Sequence, residues 1–251
     1  IASVTAADIR QAHATGLTRN RVLVAAVGDI TAVELGILVD RLLQDLPVAG
    51  DIEMPTYVAD ALSAGVKVID FPTPQSTILF GHAGIPRKDD DFFAAYLLNH
   101  ILGGSGFESR LMSEVREERG LTYGIGSFLA SRQYGDLLMG QVATANNTVV
   151  ETIDLITQEW RKIADQGVTQ AELEAAKKYL TGAYPLRFDG NGPIANILAG
   201  MQFQGLSPDY IQTRNDRVNA VTMEDIQRVA QRLYQPKKLR FIVVGQPEGL
   251  E

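Results

Sequence analysis

Cysteine is absent from all 251 residues, which excludes structural disulfides, thiolate nucleophiles and cysteine-ligated zinc. Histidine is nearly absent: His13, His82 and His100 are the whole supply. Long apolar runs are missing too, since no stretch approaches the ~18 consecutive apolar residues that indicate a membrane span. Basic excess is lacking, and the formal net charge is −7. Such a surface repels phosphate backbones, so nucleic acid is not an expected partner. No run of like charge is long enough to read as a binding tail. The start, Ile1-Ala2-Ser3, is neither a Met start nor a charged segment followed by an apolar run, so it is expected to be a processed or truncated start.

The scarcity of histidine bears on chemistry. A zinc peptidase needs two ligands on one helical face, a third elsewhere and a base beside the metal. None of the three histidines has a His, Asp or Glu four residues on, and neither H-E-x-x-H nor H-x-x-E-H can be written anywhere. No metal ligand set is therefore expected, and a purified sample is expected to hold no stoichiometric zinc. His100, in an apolar helical run, reads as a hydrogen-bonded buried residue. His13 and His82 have no partner visible in the sequence. Gly103-Gly104-Ser105-Gly106 lacks the Gly-Lys-Ser/Thr of a phosphate loop and reads as a helix stop that allows close backbone approach. No G-x-S-x-G occurs, so a serine hydrolase is poorly supported.

What is present is enough apolar residue, 45%, for a sizeable core. There is also an internal repeat. Val4-Thr5-Ala6-Ala7-Asp8-Ile9 aligns with Val221-Thr222-Met223-Glu224-Asp225-Ile226. Continued without a gap, Arg21 to Gly28 (RVLVAAVG) falls on Lys238 to Gly245 (KLRFIVVG). Each copy predicts a threonine N-cap with an acid three residues later, a short helix, and a β-branched strand ending in Val-Gly. A further helix, Thr31 to Leu46, is opened by Thr31-x-x-Glu34. Residues 1–46 thus read as the tail of a preceding homologous domain, 47–65 as a linker rich in Pro and Gly, and 66–251 as a second domain. The apolar strand Arg21 to Val27, cut from most of its domain, is expected to pair with another chain or to dock on the second domain.

In the second domain, Val66 to Phe71 and Ser76 to Gly81 read as strands, followed by an apolar helix, Asp89 to Leu102, whose three leading acids suit the helix dipole. Phe107 to Arg119 reads as a helix stopped by Gly120. Leu121 to Ala130 and Tyr134 to Ala143 read as a hairpin. Helices are expected at Thr148 to Gln166, Thr169 to Tyr184 (with a Thr169-x-x-Glu172 box), Ile194 to about Phe203, and after Ser207-Pro208. Grouped antiparallel strands with helices in blocks predict an α+β fold: an open, mainly antiparallel sheet with helices packed on one face.

Between Ser109 and Gly124 charge is packed at a helix end that turns at once into a strand carrying a tyrosine. Arg116 in the last turn suits the dipole and can bond terminal carbonyls, and Tyr123 fits an ordinary strand aromatic. The same spacing also allows a guanidinium and a phenol O–H to be presented side by side to a substrate carbonyl or oxyanion.

The run Ser109-Arg110-Leu111-x-x-x-Val115-Arg116-Glu117-x-Arg119-Gly120-Leu121-x-Tyr123 resembles the signature of the zinc-free C-terminal half in the pitrilysin and mitochondrial-processing-peptidase family of metallopeptidases. Pro74-Gln75-Ser76, Gly84-Ile85-Pro86 and Leu98 to Gly104 add to the resemblance, which covers the chain from Val66 onward and includes the tail repeat. The resemblance implies tandem α+β domains in two facing halves, one half carrying H-x-x-E-H and its zinc. The other half supplies an arginine and a tyrosine, which fall on Arg116 and Tyr123. Arg119 lacks the matching spacing. On this basis Tyr123 is expected as an oxyanion donor and Arg116 as a substrate-binding residue. The zinc is expected on a homologous H-x-x-E-H partner subunit, with a peptide as substrate. The alternatives are an inactive assembly scaffold, or a stand-alone peptide-binding domain using a sheet edge. Bacterial members of this size class are often exported, which points to the periplasm.

Overall fold

The computed structural model describes residues 1–58, 62–104, 106 and 108–250. Its elements run α1 (Ala6–Gly16), α2 (Ala32–Leu43), β1 (Gly65–Asp70), β2 (Gln75–Ala83) and α3 (Phe92–Gly103). They continue with β3 (Ile125–Arg132), β4 (Gly135–Ala145), α4 (Val149–Gln166), α5 (Gln170–Ala183) and α6 (Asn191–Phe203). The chain closes with α7 (Tyr210–Ala220), α8 (Met223–Leu233) and β5 (Arg240–Gly245). Two compact units are present: Ile1–Thr56 with Tyr184–Ile211, and Tyr57–Ala183 with Gln212–Glu251. Part of the expected linker, residues 59–61, and the expected helix start at Phe107 lie outside the described residues.

The larger unit is a five-stranded open sheet in the order β1-β5-β2-β4-β3. β1 runs parallel to β5, and the other neighbours are antiparallel. This is the expected mainly antiparallel α+β sheet. Alternation decides its sidedness: Ser76, Ile78 and Phe80 of β2 are buried while Gln75, Thr77 and Leu79 are exposed. The buried side continues through Leu138 and Val142 of β4 and Phe241 and Val243 of β5. α3, α4, α5 and α8 pack together on that side. At the centre of the core is Trp160 of α4, fully buried and edge-on to Phe80. Its Nε1–H donates to Nε2 of the buried His82 at 2.9 Å, and His82 Nδ1 donates to the Ala83 carbonyl at 2.8 Å. The two bonds fix His82 as the neutral tautomer with its proton on Nδ1.

Local signals set the helix starts. Thr5, Thr31 and Thr222 each accept the amide of the acid three residues on, and that acid bonds back to the threonine amide. Thr169 and Glu172 make the same pair of bonds. The acids before α3 behave otherwise. The Asp91 side chain makes no N-cap bond; Asp91 pairs with Arg228 and Arg232, and Asp89 with Arg232 at 2.8 Å, joining α3 to α8.

Glu172 also binds Arg110 through two hydrogen bonds, 2.7 and 2.9 Å. Partial burial opposes its ionisation, but Arg110 and the Thr169 amide and hydroxyl outweigh that and bring its carboxyl from 4.5 to about 2. A carboxyl lowered on folding contributes stability that is complete above its unfolded value and is lost as pH falls through its folded value. The thermal midpoint is therefore expected to fall between pH 4.5 and about 2. Calorimetry across that window should show less of this slope in Arg110→Ala, which is expected to cost about 1 kcal/mol at neutral pH. An equal slope in both proteins would refute the role of the pair.

Tyr234 is buried beside Trp160, and its hydroxyl has no hydrogen-bond partner among the described residues. Burial without a partner raises its pKa and costs free energy, so removing the oxygen removes the cost. Tyr234→Phe is expected to stabilise the fold by ~1 kcal/mol in denaturant titration; destabilisation would show that the hydroxyl is satisfied.

The smaller unit departs from expectation. Arg21 to Val27 was expected as a strand, but Val22–Val27 has no regular structure and pairs with no strand among the described residues. The repeat explains the difference. Its second copy, β5, has β1 on one side and β2 on the other, whereas the first copy has no strand beside it in the described residues. Its recorded bonds are of another kind: Gln202 Nε2 donates to the Val24 carbonyl at 2.9 Å, and the Arg19 and Asn20 amides donate to Pro47 and Val48. Neither α1 nor α2 has a buried residue.

Candidate functional site

The segment with the arginine and tyrosine is built differently from the expected helix and strand. In place of a helix running to Arg119 there is a π-helical turn, Met112–Glu117. The Glu118 amide reaches back five residues to the Ser113 carbonyl at 2.9 Å. Leu111, Met112 and Val115 anchor the turn in the core. Two ion pairs join it to α4: Glu114 with Lys162 at 3.4 Å, and Arg119 with Glu151 at 3.2 Å. Lys162 also neutralises the buried Glu159 at 2.5 Å, and that bond raises the lysine pKa.

Gly120 ends the turn with φ +63°, a backbone that other residues adopt at a cost. Its amide bonds the Arg116 carbonyl and the Leu121 amide bonds the Val115 carbonyl, both at 3.0 Å. The chain is thereby folded straight from the helix end into Leu121–Gly124. This stretch was expected to open a strand, but β3 begins only at Ile125. The reason lies at Thr122, whose hydroxyl donates to the Ala143 carbonyl at 2.7 Å and accepts the Gly124 amide at 3.1 Å. These bonds make a pinned turn.

Tyr123 is thus not an ordinary strand aromatic. It sits at the tip of that turn with 93% of its surface exposed. Arg116 lies four residues before Gly120, its side chain about a third exposed and 4.0 Å from Glu117. Arg116 lies before the Gly120 bend and Tyr123 after it, while Arg119 pairs with Glu151 at 3.2 Å.

Beside the turn opens a cleft of about 840 Å³, lined among others by Gly124, Gly126, Met112, Gln141 and His100. Its lining also takes in Thr77 of β2 and Val142 and Ala143 of β4, and two backbone groups at the start of β3 are already engaged. Asn99 Nδ2 donates to the Ser127 carbonyl at 3.1 Å, Ser127 Oγ returns a bond to Asn99 Oδ1 at 2.9 Å, and the Ile125 amide lies 3.5 Å from the Met112 sulfur. Gly103 makes this seat possible: a Cβ there would lie 2.4 Å from Ser127 Oγ. The glycine pair ending α3 therefore serves close approach, as expected, although Ser105 lies outside the described residues. Asn99, Ser127 and Thr122 escaped sequence reasoning because no motif marks them. A polar residue inside the apolar run of α3 was the one available signal for Asn99.

His100 is half-buried and stacks on Tyr179 at 5.0 Å, and burial lowers its pKa. Among the described residues no group of three His, Asp or Glu side chains could hold a metal ion. The described residues of this chain offer no donor set that fits a zinc ion.

The chain matches the family model described as the peptidase M16 inactive domain over residues 3–180. It is 26% identical over 240 residues to the Helicobacter pylori protein named non-peptidase homolog YmxG, covering 95% of this chain and 55% of that one. With the mitochondrial-processing peptidase subunit beta of Lentinula edodes it is 24% identical over 274 residues, covering 100% and 56%. The solved peptidase M16 inactive domain from Pseudomonas fluorescens superposes with a TM-score of 0.86 at 28% identity, covering 99% of this chain and 60% of that one. The chain spans a little over half the length of the curated relatives it matches. The match over most of its length places this chain in the peptidase M16 inactive-domain family.

Proposed function

We propose that this chain is the non-catalytic half of a two-part zinc endopeptidase, lending Tyr123 and Arg116 to a site on a homologous H-x-x-E-H subunit. The observation that carries the reading is Tyr123, almost fully exposed at the tip of a turn pinned by Thr122. Fixing a phenol in solvent has no packing benefit within the chain, and a donor aimed at a partner's substrate has a use for it. Bond breaking belongs to the partner's zinc site. Tyr123 donates its O–H to the scissile carbonyl oxygen as negative charge gathers there. Arg116 holds backbone carbonyls of the peptide further along, as a planar cation with several donors can.

The stand-alone peptide binder is weaker at the β3 edge, because Asn99 and Met112 already occupy groups that an added strand needs. The inactive scaffold differs from the proposal in having no use for either donor. The test compares Arg116→Ala with Arg119→Ala in a reconstituted pair at equal assembly. Arg116→Ala is expected to raise KM and lower kcat together. Arg119→Ala, which removes one exposed ion pair, should change each by less than about twofold. Equal behaviour of the two variants would refute the assignment of Arg116.

A further inference from the structure

β3 begins at Ile125, opposite Val142, while β4 runs on to Ala145. Past Val142 it is the turn Leu121–Gly124 that meets β4, and side chains join the two in place of a ladder. Thr122 Oγ1 donates to the Ala143 carbonyl and Thr144 Oγ1 donates to the Leu121 carbonyl, both at 2.7 Å. The clasp is reciprocal: each hydroxyl bonds the carbonyl of the residue just before the other threonine. Its two members differ in surroundings, since Thr122 is partly exposed and Thr144 is fully buried. No other hydrogen bond reaches the Leu121 carbonyl among the described residues. A hydroxyl has one hydrogen, and Thr144 gives its own to Leu121, so Thr148 is the donor in the 2.7 Å contact between Thr148 and Thr144. Thr152, fully buried in the first turn of α4, donates to the Thr148 carbonyl at 2.9 Å. A string of threonines thus runs from the start of α4 to the backbone two residues before Tyr123.

Tyr123, almost fully exposed, does not hold its own turn. A bond made at the surface by Thr122 competes with water, whereas a buried hydroxyl bonded to a buried carbonyl does not, and losing it leaves the carbonyl unpaired. We propose that Thr144 is a positioning residue: as the buried half of the clasp with Thr122, it fixes the turn that carries Tyr123. It acts through the Leu121 carbonyl and touches neither peptide nor reacting atoms. Its effect on turnover rests on the donor role proposed above for Tyr123, while its hold on the turn is open to measurement in the chain alone.

The test uses Thr144→Val, which keeps the shape of the side chain and removes the hydroxyl, with Thr144→Ser as the variant that retains it. In the chain alone, amide hydrogen exchange at Leu121 and Gly124 is expected to be about tenfold faster in Thr144→Val and near wild type in Thr144→Ser. In the reconstituted pair at equal assembly, Thr144→Val is expected to lower kcat about tenfold and to move KM by less than about twofold. In a Tyr123→Phe background the same substitution is expected to lower kcat no further, because its effect passes through the phenol hydroxyl. Should Thr144→Val fail to fold, Thr122→Val opens the clasp from its exposed side and is expected to show the same kinetic split and the same lack of additivity. Exchange equal to wild type at Leu121 and Gly124 overturns the inference whatever Tyr123 does. So does a Thr144→Ser variant as impaired as Thr144→Val, or a kcat loss that adds in full to that of Tyr123→Phe. Faster exchange, beside a Tyr123→Phe pair that cleaves at the wild-type rate, upholds the hold of Thr144 on the turn and contradicts the donor role of Tyr123 instead.

Discussion

In a reconstituted pair, Tyr123→Phe is expected to lower kcat on the order of 100- to 1,000-fold, the usual cost of losing one oxyanion donor. KM is expected to move far less. The split follows from where the hydroxyl acts. A donor placed for an oxygen that becomes charged only in the transition state adds little to ground-state binding. The fold offers a clean background for the substitution: Tyr123 is 93% exposed, and the turn beneath it is held by Thr122 rather than by the tyrosine. The phenylalanine variant should therefore melt and assemble as the wild-type chain does. Steady-state kinetics at saturating assembly separate the cases. A rate equal to wild type in a fully assembled pair removes the oxyanion role and favours the scaffold.

Trp160→Ala is expected to cost roughly 3–5 kcal/mol in stability, the range for truncating a large buried aromatic. For a chain of this size that corresponds to a fall in Tm of roughly 6–20 °C. Trp160 is fully buried, meets Phe80 edge-on at 5.6 Å, and supplies the donor for His82 Nε2. The truncation leaves a cavity and an orphaned buried imidazole nitrogen at once. Trp160→Phe keeps most of the packing but not the donor, and should fall between the two by about 1–3 kcal/mol below wild type. Thermal melts of the three proteins check the order. A phenylalanine variant as stable as wild type would show that the indole N–H contributes nothing.

The helix starts were legible because their cause is local. Thr5 with Asp8, Thr31 with Glu34, Thr169 with Glu172 and Thr222 with Asp225 close within one turn, so spacing alone predicts them. Strand existence was legible from apolar β-branched runs, and for β5 the repeat helped. At Arg21 to Val27 the same signal has no ladder to match among the described residues, since a strand is a property of two segments. The site was half legible. The Arg116–Tyr123 spacing drew attention to this turn, but not to its π-helical hydrogen bonds or to Thr122, which turns an expected strand residue into an exposed tip. Pairs such as Arg110–Glu172, Asn99–Ser127 and Trp160–His82 join residues 62, 28 and 78 positions apart. No local pattern encodes them, and each residue alone looks ordinary. The three acids before α3 illustrate the same limit: the dipole accounts for their sign, while Arg228 and Arg232 account for where two of them point.

The most direct test of the central claim is a titration of this chain into a homologous H-x-x-E-H subunit from the same source, reading chelator-sensitive cleavage of a fluorogenic peptide. Neither chain alone is expected to cleave at an appreciable rate. Activity should rise with added chain and saturate at equal molar amounts, with Tyr123→Phe saturating at the same ratio but at a far lower plateau. Cleavage by the H-x-x-E-H subunit that is unchanged by this chain, or a plateau that Tyr123→Phe leaves intact, would contradict the account.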